Sequence, residues 1–430
     1  MNYNKHPIQV FEHELLKVDS NNGFSQVHWE KLGWYNEEHG GKYFSLTPRG
    51  VKFKNYVGVI QVDDLTIEIL PKIGRLASGD DKSRWQGLLL DMLQECSWMN
   101  VYANEKASLR YKPRSILEAY LEIFIQECEN IMREGLVKKY RTTEGSRNAL
   151  KGRLVFSKQI QHNAIHEERF YTKHQSFDQE NLFNQVLLKT LKVIPLINNS
   201  PMLKDRVYRL LLDFPELEDI KVETGMFENI QYNRKTLRYA EAIEIAAMIL
   251  LHYRPDIKSG QKHILALLFD MNELWEEFIF RQINNWKMAN WKVVRQRKQF
   301  WQLHGSSSYK IIKPDIVITD ITNDQSIIID TKWKVPEENK PSDADLKQMY
   351  VYNEYWNGLA AILLYPSLSY TESVKYNKGS FIKEKTVGKE CGLIQISVLS
   401  PENTGLNRGL GETISAFCSS IFEKHIPLLN

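Results

Sequence analysis

The chain has 430 residues, which is too long for one small core and predicts two or three domains. A hydrophobic share of 43% and a charged share of 25% are typical of a folded soluble protein. The net charge of +3 excludes a strongly basic chain, so any signal for nucleic acid must be local. The four cysteines form no C-x-x-C pair, which argues against a zinc ribbon and fits a reducing cytosol.

The most apolar stretches of the chain, 245–251 and 359–365, are short. Both fall well below the roughly 20 residues that a helix needs to cross a bilayer. The start of the sequence, MNYNKHPIQVFEHELL, lacks a basic segment followed by an apolar core, so no secretory signal is expected. We therefore expect a cytoplasmic protein without membrane contact.

Residues 1–78 are predicted to form a small β-rich domain. The segment 57–74, VGVIQVDDLTIEILPKIG, has two short β-branched runs on either side of a turn at Asp63-Asp64. A small domain of this kind can dock onto a partner, and a purely structural role is equally compatible with the pattern.

Residues 79–258 are predicted to be mainly helical. Apolar residues recur there at three- and four-residue spacing, which is typical of helices with one buried face. This spacing predicts helices over residues 85–99, 116–132, 180–194 and 237–253. Gly135 and Arg254-Pro255 are expected to end two of them.

Residues 259–430 combine helical and strand-like patterns. Helices are predicted over 263–286, 343–356 and 409–424. Strands are predicted over 292–300, 310–319, 326–334, 359–366 and 393–400. This order predicts an α/β domain with a mixed sheet flanked by helices, within a multidomain α+β chain.

Two acids and a lysine in this last domain have a pattern that suits metal-assisted hydrolysis. Asp315 follows Pro314 near the start of one strand, and Asp330 and Lys332 stand at the end of the next. Residues two apart on a strand share a face, and a hairpin would bring Asp315 beside them. Two carboxylates can hold Mg²⁺, and an ammonium can position water or stabilise charge in the transition state. Gln348 lies on the helix that follows.

A further carboxylate could come from the helix that precedes these strands. Glu276 is the favoured residue, and Glu273 and Glu277 compete for the role. A carboxylate at this place would add an oxygen ligand for a divalent cation. The alternative for each of the three is a solvated helix face.

The stretch 281–313 is basic and contains no acidic residue. Its Lys and Arg residues are Arg281, Lys287, Lys292, Arg295, Arg297, Lys298, Lys310 and Lys313. A basic stretch beside a metal site suits a phosphate backbone, and DNA contacts are assigned to Arg295, Arg297, Lys298, Lys310 and Lys313. Interleaved with them are Trp286, Trp291, Phe300, Trp301 and Tyr309. We expect these aromatic side chains to turn inward.

Other motifs carry less weight. His162 and His166 are four residues apart, but the internal Glu of H-E-x-x-H is missing and no third ligand is evident. A polar helix or loop is therefore favoured over a zinc site. The sequence has no glycine-rich phosphate loop, so hydrolysis of nucleotides by this chain alone is not expected.

An ordered set of segments covers nearly the whole chain. They are 57–74, 134–163, 177–191, 269–279, 313–318, 328–334 and 345–356. Together they resemble the McrC family, the nuclease subunit of McrBC-type modification-dependent restriction systems. The resemblance implies a PD-(D/E)XK endonuclease domain over 259–430 that acts on DNA with Mg²⁺, or with Mn²⁺ in its place.

The resemblance also implies a role for each site residue. Asp315 is the proline-linked metal carboxylate, and Asp330 fills the D/E place as the second carboxylate. Lys332 is the motif lysine. Glu276 matches the acid of the preceding helix, although the family often has Phe where this chain has Trp275. Supporting roles on the following helix are implied for Gln348 and Tyr352.

The resemblance further implies a partner, an McrB-type AAA+ GTPase ring. The N-terminal part of the nuclease subunit would enter the ring and stimulate GTP hydrolysis, which makes 1–78 the expected docking domain. Recognition of modified cytosine in double-stranded DNA is expected in the partner. One alternative is a stand-alone nuclease of repair or recombination. Another is a non-enzymatic scaffold, against which the intact acids and lysine argue.

Overall fold

The computed structural model describes most of the chain. The described residues are 7–19, 21–73, 82–96, 98, 115–255, 263–305, 307–336, 340–370, 374–383, 386–402 and 405–424. The two domain boundaries predicted from the sequence, 78/79 and 258/259, lie outside them.

Helices and strands alternate along the described chain, in the mixed α/β arrangement that the sequence predicts. The strands are β1 (Ile8–Phe11), β2 (Leu15–Lys17), β3 (Phe44–Thr47), β4 (Gly50–Phe53), β5 (Tyr56–Val62), β6 (Leu65–Leu70), β7 (Lys139–Arg147), β8 (Arg153–Leu154), β9 (Phe170–Asp178), β10 (Tyr253–Pro255), β11 (His263–Asp270), β12 (Trp291–Val294), β13 (Lys298–Gln302), β14 (Tyr309–Ile312), β15 (Ile316–Asp320), β16 (Gln325–Thr331), β17 (Gly358–Ser367), β18 (Tyr376–Lys383) and β19 (Thr386–Ser397). The helices are α1 (Gln26–Glu38), α2 (Lys82–Glu95), α3 (Ile116–Glu134), α4 (Phe156–Asn163), α5 (Leu182–Ile197), α6 (Pro201–Asp213), α7 (Thr224–Glu228), α8 (Ala240–His252), α9 (Met271–Trp286), α10 (Asp343–Trp356) and α11 (Leu410–Lys424).

The chain forms two compact units, each assembled from separate stretches. Unit 1 takes the described residues within 1–7, 59–67 and 102–267, and unit 2 takes those within 8–58, 68–101 and 268–430. In the described chain no helix is both long and apolar enough to cross a membrane.

Unit 1 is built around the packed helices α3, α5, α6 and α8. Helix α3 begins where the Ser115 hydroxyl accepts a hydrogen bond from the backbone N–H of Glu118, and it ends before Gly135, whose φ is +87°. The predicted break at Gly135 is thus confirmed. A buried polar link joins these elements, because the Tyr239 hydroxyl donates to Asn184 and accepts from the backbone of Val137.

Unit 1 also contains a three-stranded antiparallel sheet, β7-β9-β8, which the sequence did not predict. Strand β7, KYRTTEGSR, has no apolar face and is half-buried or exposed throughout. A sheet without an apolar face gives no period-two signal of hydrophobic residues, which is why the helical prediction for 79–258 missed it.

In its N-terminal part, unit 2 holds the small sheet β2-β4-β3 together with helix α1. The capping box at Ser25 and His28 starts α1. The β-rich segment 1–78 therefore includes a helix that the sequence analysis did not predict. The turn at Asp63-Asp64, in the part of β5 and β6 that belongs to unit 1, is confirmed.

A six-stranded sheet forms the centre of unit 2. Its order is β12-β15-β16-β17-β19-β18, with parallel pairing of β16 to β17 and of β17 to β19, and antiparallel pairing elsewhere. The mixed sheet flanked by helices is thus confirmed. Helix α10 packs on one face through Met349, Tyr352 and Trp356, and α9 and α11 contact strands of the same sheet. Strand β18 was not predicted.

One predicted helix is wrong in its first part. Residues 263–270 form strand β11, and the helix begins only at Met271. The run HILALLF is continuously apolar, which is also typical of a buried strand. Asp270 sets the helix start, because its side chain accepts from the backbone of Asn272 and from the side chain of Asn55.

Candidate active site

The hairpin β15–β16 brings the two predicted aspartates together. Ile316 pairs with Ile329, so that Asp315 and Asp330, one residue further on each strand, face each other across the ladder. The turn at the other end contains Asp324 with a φ of +54°, as the predicted hairpin requires. Continuous apolar runs bury both strands, and this burial fixes the aspartates on a rigid support.

Asp315 is held by the end of the neighbouring strand. Its Oδ2 accepts hydrogen bonds from the backbone N–H of Thr331, at 2.7 Å, and from the Thr331 hydroxyl, at 2.9 Å. Because both donors come from the residue between Asp330 and Lys332, the position of Asp315 is tied directly to that of the other two.

Asp330 is a buried carboxylate, with only 1% of its surface exposed. Its Oδ2 lies 2.6 Å from the Nζ of Lys332. Burial, followed by the charge of Asp315, raises the pKa of Asp330 to about 7, and Lys332 opposes this rise. Two carboxylates crowded together in a buried place attract positive charge, and a cation relieves their repulsion.

Lys332 is surrounded by acceptors. Besides Asp330, its Nζ lies 3.3 Å from Oε1 of Gln348 and 4.0 Å from Oδ1 of Asp345. Gln348 in turn donates to the Tyr352 hydroxyl, which donates to the backbone carbonyl of Lys313. Burial lowers the pKa of Lys332, but the acids around it outweigh this effect, so that the lysine stays charged.

Asp345 was missed by the sequence analysis. It also accepts a hydrogen bond from Lys334, at 2.8 Å, and it lines a cleft of about 630 Å³ together with Lys334, Lys340 and Tyr365. Asp345 and Gln348 are three residues apart on α10 and therefore share a helix face. That spacing was the signal that could have found it.

Of the three acids on α9, Glu276 is the one whose pKa is shifted by the charge of Asp315. Burial and the charge of Asp315 raise its pKa, while Arg295, at 3.3 Å, and Lys313, at 3.9 Å, oppose the rise. Glu277 instead forms ion pairs with Arg295, at 2.8 Å, and with Arg281, which lies one turn further along α9. Glu273 is exposed. The choice of Glu276 as the site residue of α9 stays a prediction.

The oxygen donors fit a hard divalent cation. Within the described residues, no three Asp, Glu, His or Cys side chains are gathered closely enough to form a complete metal site. Mg²⁺ commonly binds one or two carboxylates and takes its other ligands from water and substrate phosphate. The facing pair Asp315 and Asp330, with the raised pKa of Asp330, matches that habit.

The five basic residues to which DNA contacts are assigned divide into two groups. Arg295 and Lys313 lie beside Glu276, and Arg295 also packs over the ring of Phe280. Arg297, Lys298 and Lys310 lie on or next to the exposed strands β13 and β14. DNA binding by these five residues stays a prediction.

The prediction that the aromatic residues of this stretch turn inward is wrong for four of the five. Only Trp291 is buried. Trp286, Phe300, Trp301 and Tyr309 are each about half exposed, at 46%, 45%, 48% and 53%. For Phe300, Trp301 and Tyr309 the reason is that, in the described structure, β13 and β14 form a two-stranded sheet of their own, so most of their side chains have no neighbouring sheet to cover them.

Glu12, which is buried and distant in sequence, binds the side chain of Trp333 next to the candidate active site. Oε1 of Glu12 accepts hydrogen bonds from the indole Nε1 of Trp333, at 2.7 Å, and from the backbone of Lys72. Trp333 follows Lys332 directly, and its ring packs edge-on against Trp275, which precedes Glu276. Burial raises the pKa of Glu12 to about 7. No sequence pattern connects residues 321 positions apart.

His162 and His166 do not form a joint site. His162 is at the end of α4 and stacks on Tyr171, whereas His166 lies beyond the helix, 3.3 Å from Glu168. The structure thus gives each histidine a partner other than a metal.

Comparison with known families places the chain. A family model described as "McrBC 5-methylcytosine restriction system component" matches residues 51–366. The chain belongs to the McrBC family. The resemblance found in the sequence is thereby confirmed, and the match includes Glu276, the β15–β16 hairpin and all of α10.

Solved structures resemble this McrBC family member to different degrees, and only the higher-scoring likeness shows a shared fold. One is a chain of the "Refined half-complex from tetradecameric assembly of Thermococcus gammatolerans McrB AAA+ hexamers with bound McrC", at a TM-score of 0.70 and 17% identity over 96% of this chain and 100% of that one. Another belongs to the "Cryo-EM structure of the Thermococcus gammatolerans McrBC complex", at a TM-score of 0.47 and 17% identity over 64% and 86%. No curated protein matches the chain.

Proposed function

We propose that this chain is the endonuclease subunit of a GTP-dependent, modification-dependent restriction complex. In this proposal the six-stranded sheet with α9 and α10 is a PD-(D/E)XK core that hydrolyses DNA phosphodiester bonds. The observation that carries it is the placement of Asp315, Asp330 and Lys332 at the adjoining ends of two buried strands. Two fixed carboxylates can hold a catalytic metal ion, and a neighbouring ammonium can stabilise the charge that develops on the phosphate.

Each side chain then has a chemical role. Asp315 and Asp330 would hold Mg²⁺ or Mn²⁺, with Glu276 as a third carboxylate. The bound cation would supply an activated water and stabilise charge on the phosphate. Lys332, aligned by Asp330 and Gln348, can orient the attacking water and stabilise negative charge on the phosphoryl oxygens.

The direct test is Asp330→Asn. The change keeps the shape of the side chain but removes the charge of a carboxylate that is 1% exposed. We expect Mg²⁺-dependent cleavage of modified DNA by the complex to be lost. Asp324→Asn is the matched control, because Asp324 is exposed at the turn of the same hairpin and asparagine tolerates its positive φ. Cleavage by the Asp330 variant at the wild-type rate would refute the site.

The partner is proposed to be an McrB-type AAA+ GTPase ring, docked through the N-terminal part of the chain. The family match and the fold shared with a chain of an McrB–McrC assembly support this. Asp330→Asn should still co-elute with the ring and stimulate its GTPase, since Asp330 serves only the cut. If the wild-type chain neither co-elutes nor changes GTP turnover yet cleaves DNA, the stand-alone nuclease is correct instead. A cytoplasmic location and recognition of modified cytosine by the partner complete the proposal.

A further inference from the structure

The hairpin β13–β14 stands apart from the sheets around it. Its two strands form a two-stranded sheet of their own, and all their residues except Ile312 are exposed. Phe300, Trp301 and Tyr309 are each about half exposed. Large aromatic side chains left open to water in a group mark a surface that binds something.

A β-bulge decides which way Trp301 faces. Lys298 pairs with Ile312, and Trp301 pairs with Lys310 after a register shift at Phe300. Residues 298 and 301 would lie on opposite faces of a regular strand, but the extra residue returns Trp301 to the face of Lys298. Trp301 therefore shares one face with Lys298 and Lys310, whereas Tyr309 points to the other.

Helix α10 anchors the base of this hairpin. The Nζ of Lys298 donates to the backbone carbonyl of Tyr355, at 2.6 Å, and lies 4.8 Å from the ring centre of Trp356. The Tyr355 hydroxyl donates to the backbone carbonyl of Phe300. Trp301 and Lys310 lie beyond this anchor, so they form a fixed surface of one aromatic ring next to one positive charge.

The same hairpin leads straight into the candidate active site. Strand β14 ends at Ile312, and the next residue, Lys313, has its Nζ 3.9 Å from Glu276. Asp315 follows two residues later. Lys310, which pairs with Trp301, precedes Asp315 by five positions in the chain. A DNA strand bound at the candidate active site would therefore extend toward the face that carries Trp301.

We propose that this face binds an unpaired base of the DNA next to the cleaved phosphodiester. Trp301 would stack on the base, and Lys310 would contact the adjoining phosphate; the proposal rests on the nuclease function proposed above. Charge favours this occupant, since 281–313 has eight basic residues and no acidic one. In a continuous duplex both faces of each base are already stacked on neighbouring pairs, whereas an unpaired base leaves a face open to the ring. The occupant therefore carries at least one unpaired base.

The test compares two DNA substrates with four forms of the full chain. Fluorescence anisotropy would follow binding, without a divalent cation, of a labelled fork with single-stranded arms and of the same duplex fully paired. Trp301→Ala should weaken binding of the fork roughly 5- to 150-fold, as loss of one stacked base predicts, and change duplex binding little. Trp301→Phe should keep most of the fork binding. Tyr309→Ala is the matched control, equally exposed but on the other face.

A charge variant separates stacking from phosphate contact. Lys310→Gln should weaken binding of both substrates alike and lower the slope of log Kd against log salt by about 0.7 to 0.9. Trp301→Ala should leave that slope unchanged.

The outcomes are distinct. If the wild-type chain binds neither substrate and the complex cuts no DNA, the proposed function itself fails. If wild type binds and cuts but Trp301→Ala binds the fork as wild type does, or Tyr309→Ala loses as much, the base-stacking face is refuted. If Trp301→Ala binds the fork as wild type does but no longer co-elutes with the AAA+ ring, the base-stacking proposal is likewise refuted. The face would then bind a protein partner.

Discussion

Two hairpins lie next to each other in the chain, and their surroundings are opposite. In β15–β16 almost every residue is buried, whereas in β13–β14 almost every residue is exposed. The first lies inside a six-stranded sheet and the second pairs only with itself. If both proposals are right, the covered hairpin holds the charges of the catalytic site in place, and the exposed hairpin presents aromatic rings and lysines for binding.

The largest expected difference between the hairpins concerns their lysines. Lys332→Gln should lower the DNA cleavage rate of the complex by about 10²- to 10³-fold, the usual cost of losing one preorganised group that stabilises the transition state. DNA affinity should change little, because Lys332 is enclosed by Asp330 and Gln348.

Single-turnover cleavage with saturating protein would measure this rate. Lys310→Gln is the control from the exposed hairpin, and at saturation it should cut at nearly the wild-type rate. If the two variants lose the same amount of rate, the division between a catalytic and a binding hairpin is wrong.

The next largest difference concerns stability. Ile328→Ala removes a fully buried side chain of β16 and should lower the free energy of unfolding by about 2–5 kcal/mol. Ile311→Ala, on β14, removes a side chain that is 44% exposed and should change it by no more than about 0.5 kcal/mol. Urea denaturation followed by circular dichroism would compare them. Equal losses would mean that β13–β14 is covered in solution.

The smallest expected effect is a dependence on pH at the base of the buried hairpin. The pKa of Glu12 is raised from 4.5 to about 7, so between these values the folded chain holds a proton that the unfolded chain releases. Stability from this group is present below about pH 4.5 and is lost as pH rises to about 7. Glu12→Gln cannot ionise and should remove that loss, which is at most about 3 kcal/mol.

Denaturation midpoints of Glu12→Gln and wild type at pH 4.5, 6 and 8 would check this. The denaturation midpoint of Glu12→Gln should rise relative to that of wild type as pH rises. Glu30→Gln, at an exposed site of α1, is the control and should follow wild type. A difference that stays constant from pH 4.5 to 8 would show that Glu12 does not titrate in this range.

The sequence predicted those elements whose burial leaves a pattern. The run Ile327 to Ile329, the Pro314-Asp315 step and the helix with Gln348 were enough to predict a hairpin, a mixed sheet and the meeting of Asp315, Asp330 and Lys332. Local residue order decides such features, because strand and helix periods fix which side chains share a face.

The features that the sequence did not predict depend on contacts between residues far apart in the chain, or on side chains being left uncovered. Glu12 contacts Trp333 only after folding, and no local pattern announces this pair. The aromatic residues of β13–β14 have the composition of core residues, which is why the sequence predicted that they are buried. Composition does not reveal that these strands form a separate two-stranded sheet, where most side chains stay exposed. Residues 263–270 are apolar throughout, so the run fitted a helix as well as a strand.

The isolation of β13–β14 also bears on how sequences of this kind can change over time. Among the described residues from Gln299 to Ile311, the hairpin gives no buried side chain to the core, so substitutions at them cost the fold little. The adjacent β15–β16 tolerates few changes, since its side chains are enclosed on both faces. The chain therefore joins a stretch that is free to diversify to a neighbouring stretch that is not. Under the proposed function, the DNA preference can then change while the six-stranded sheet stays the same.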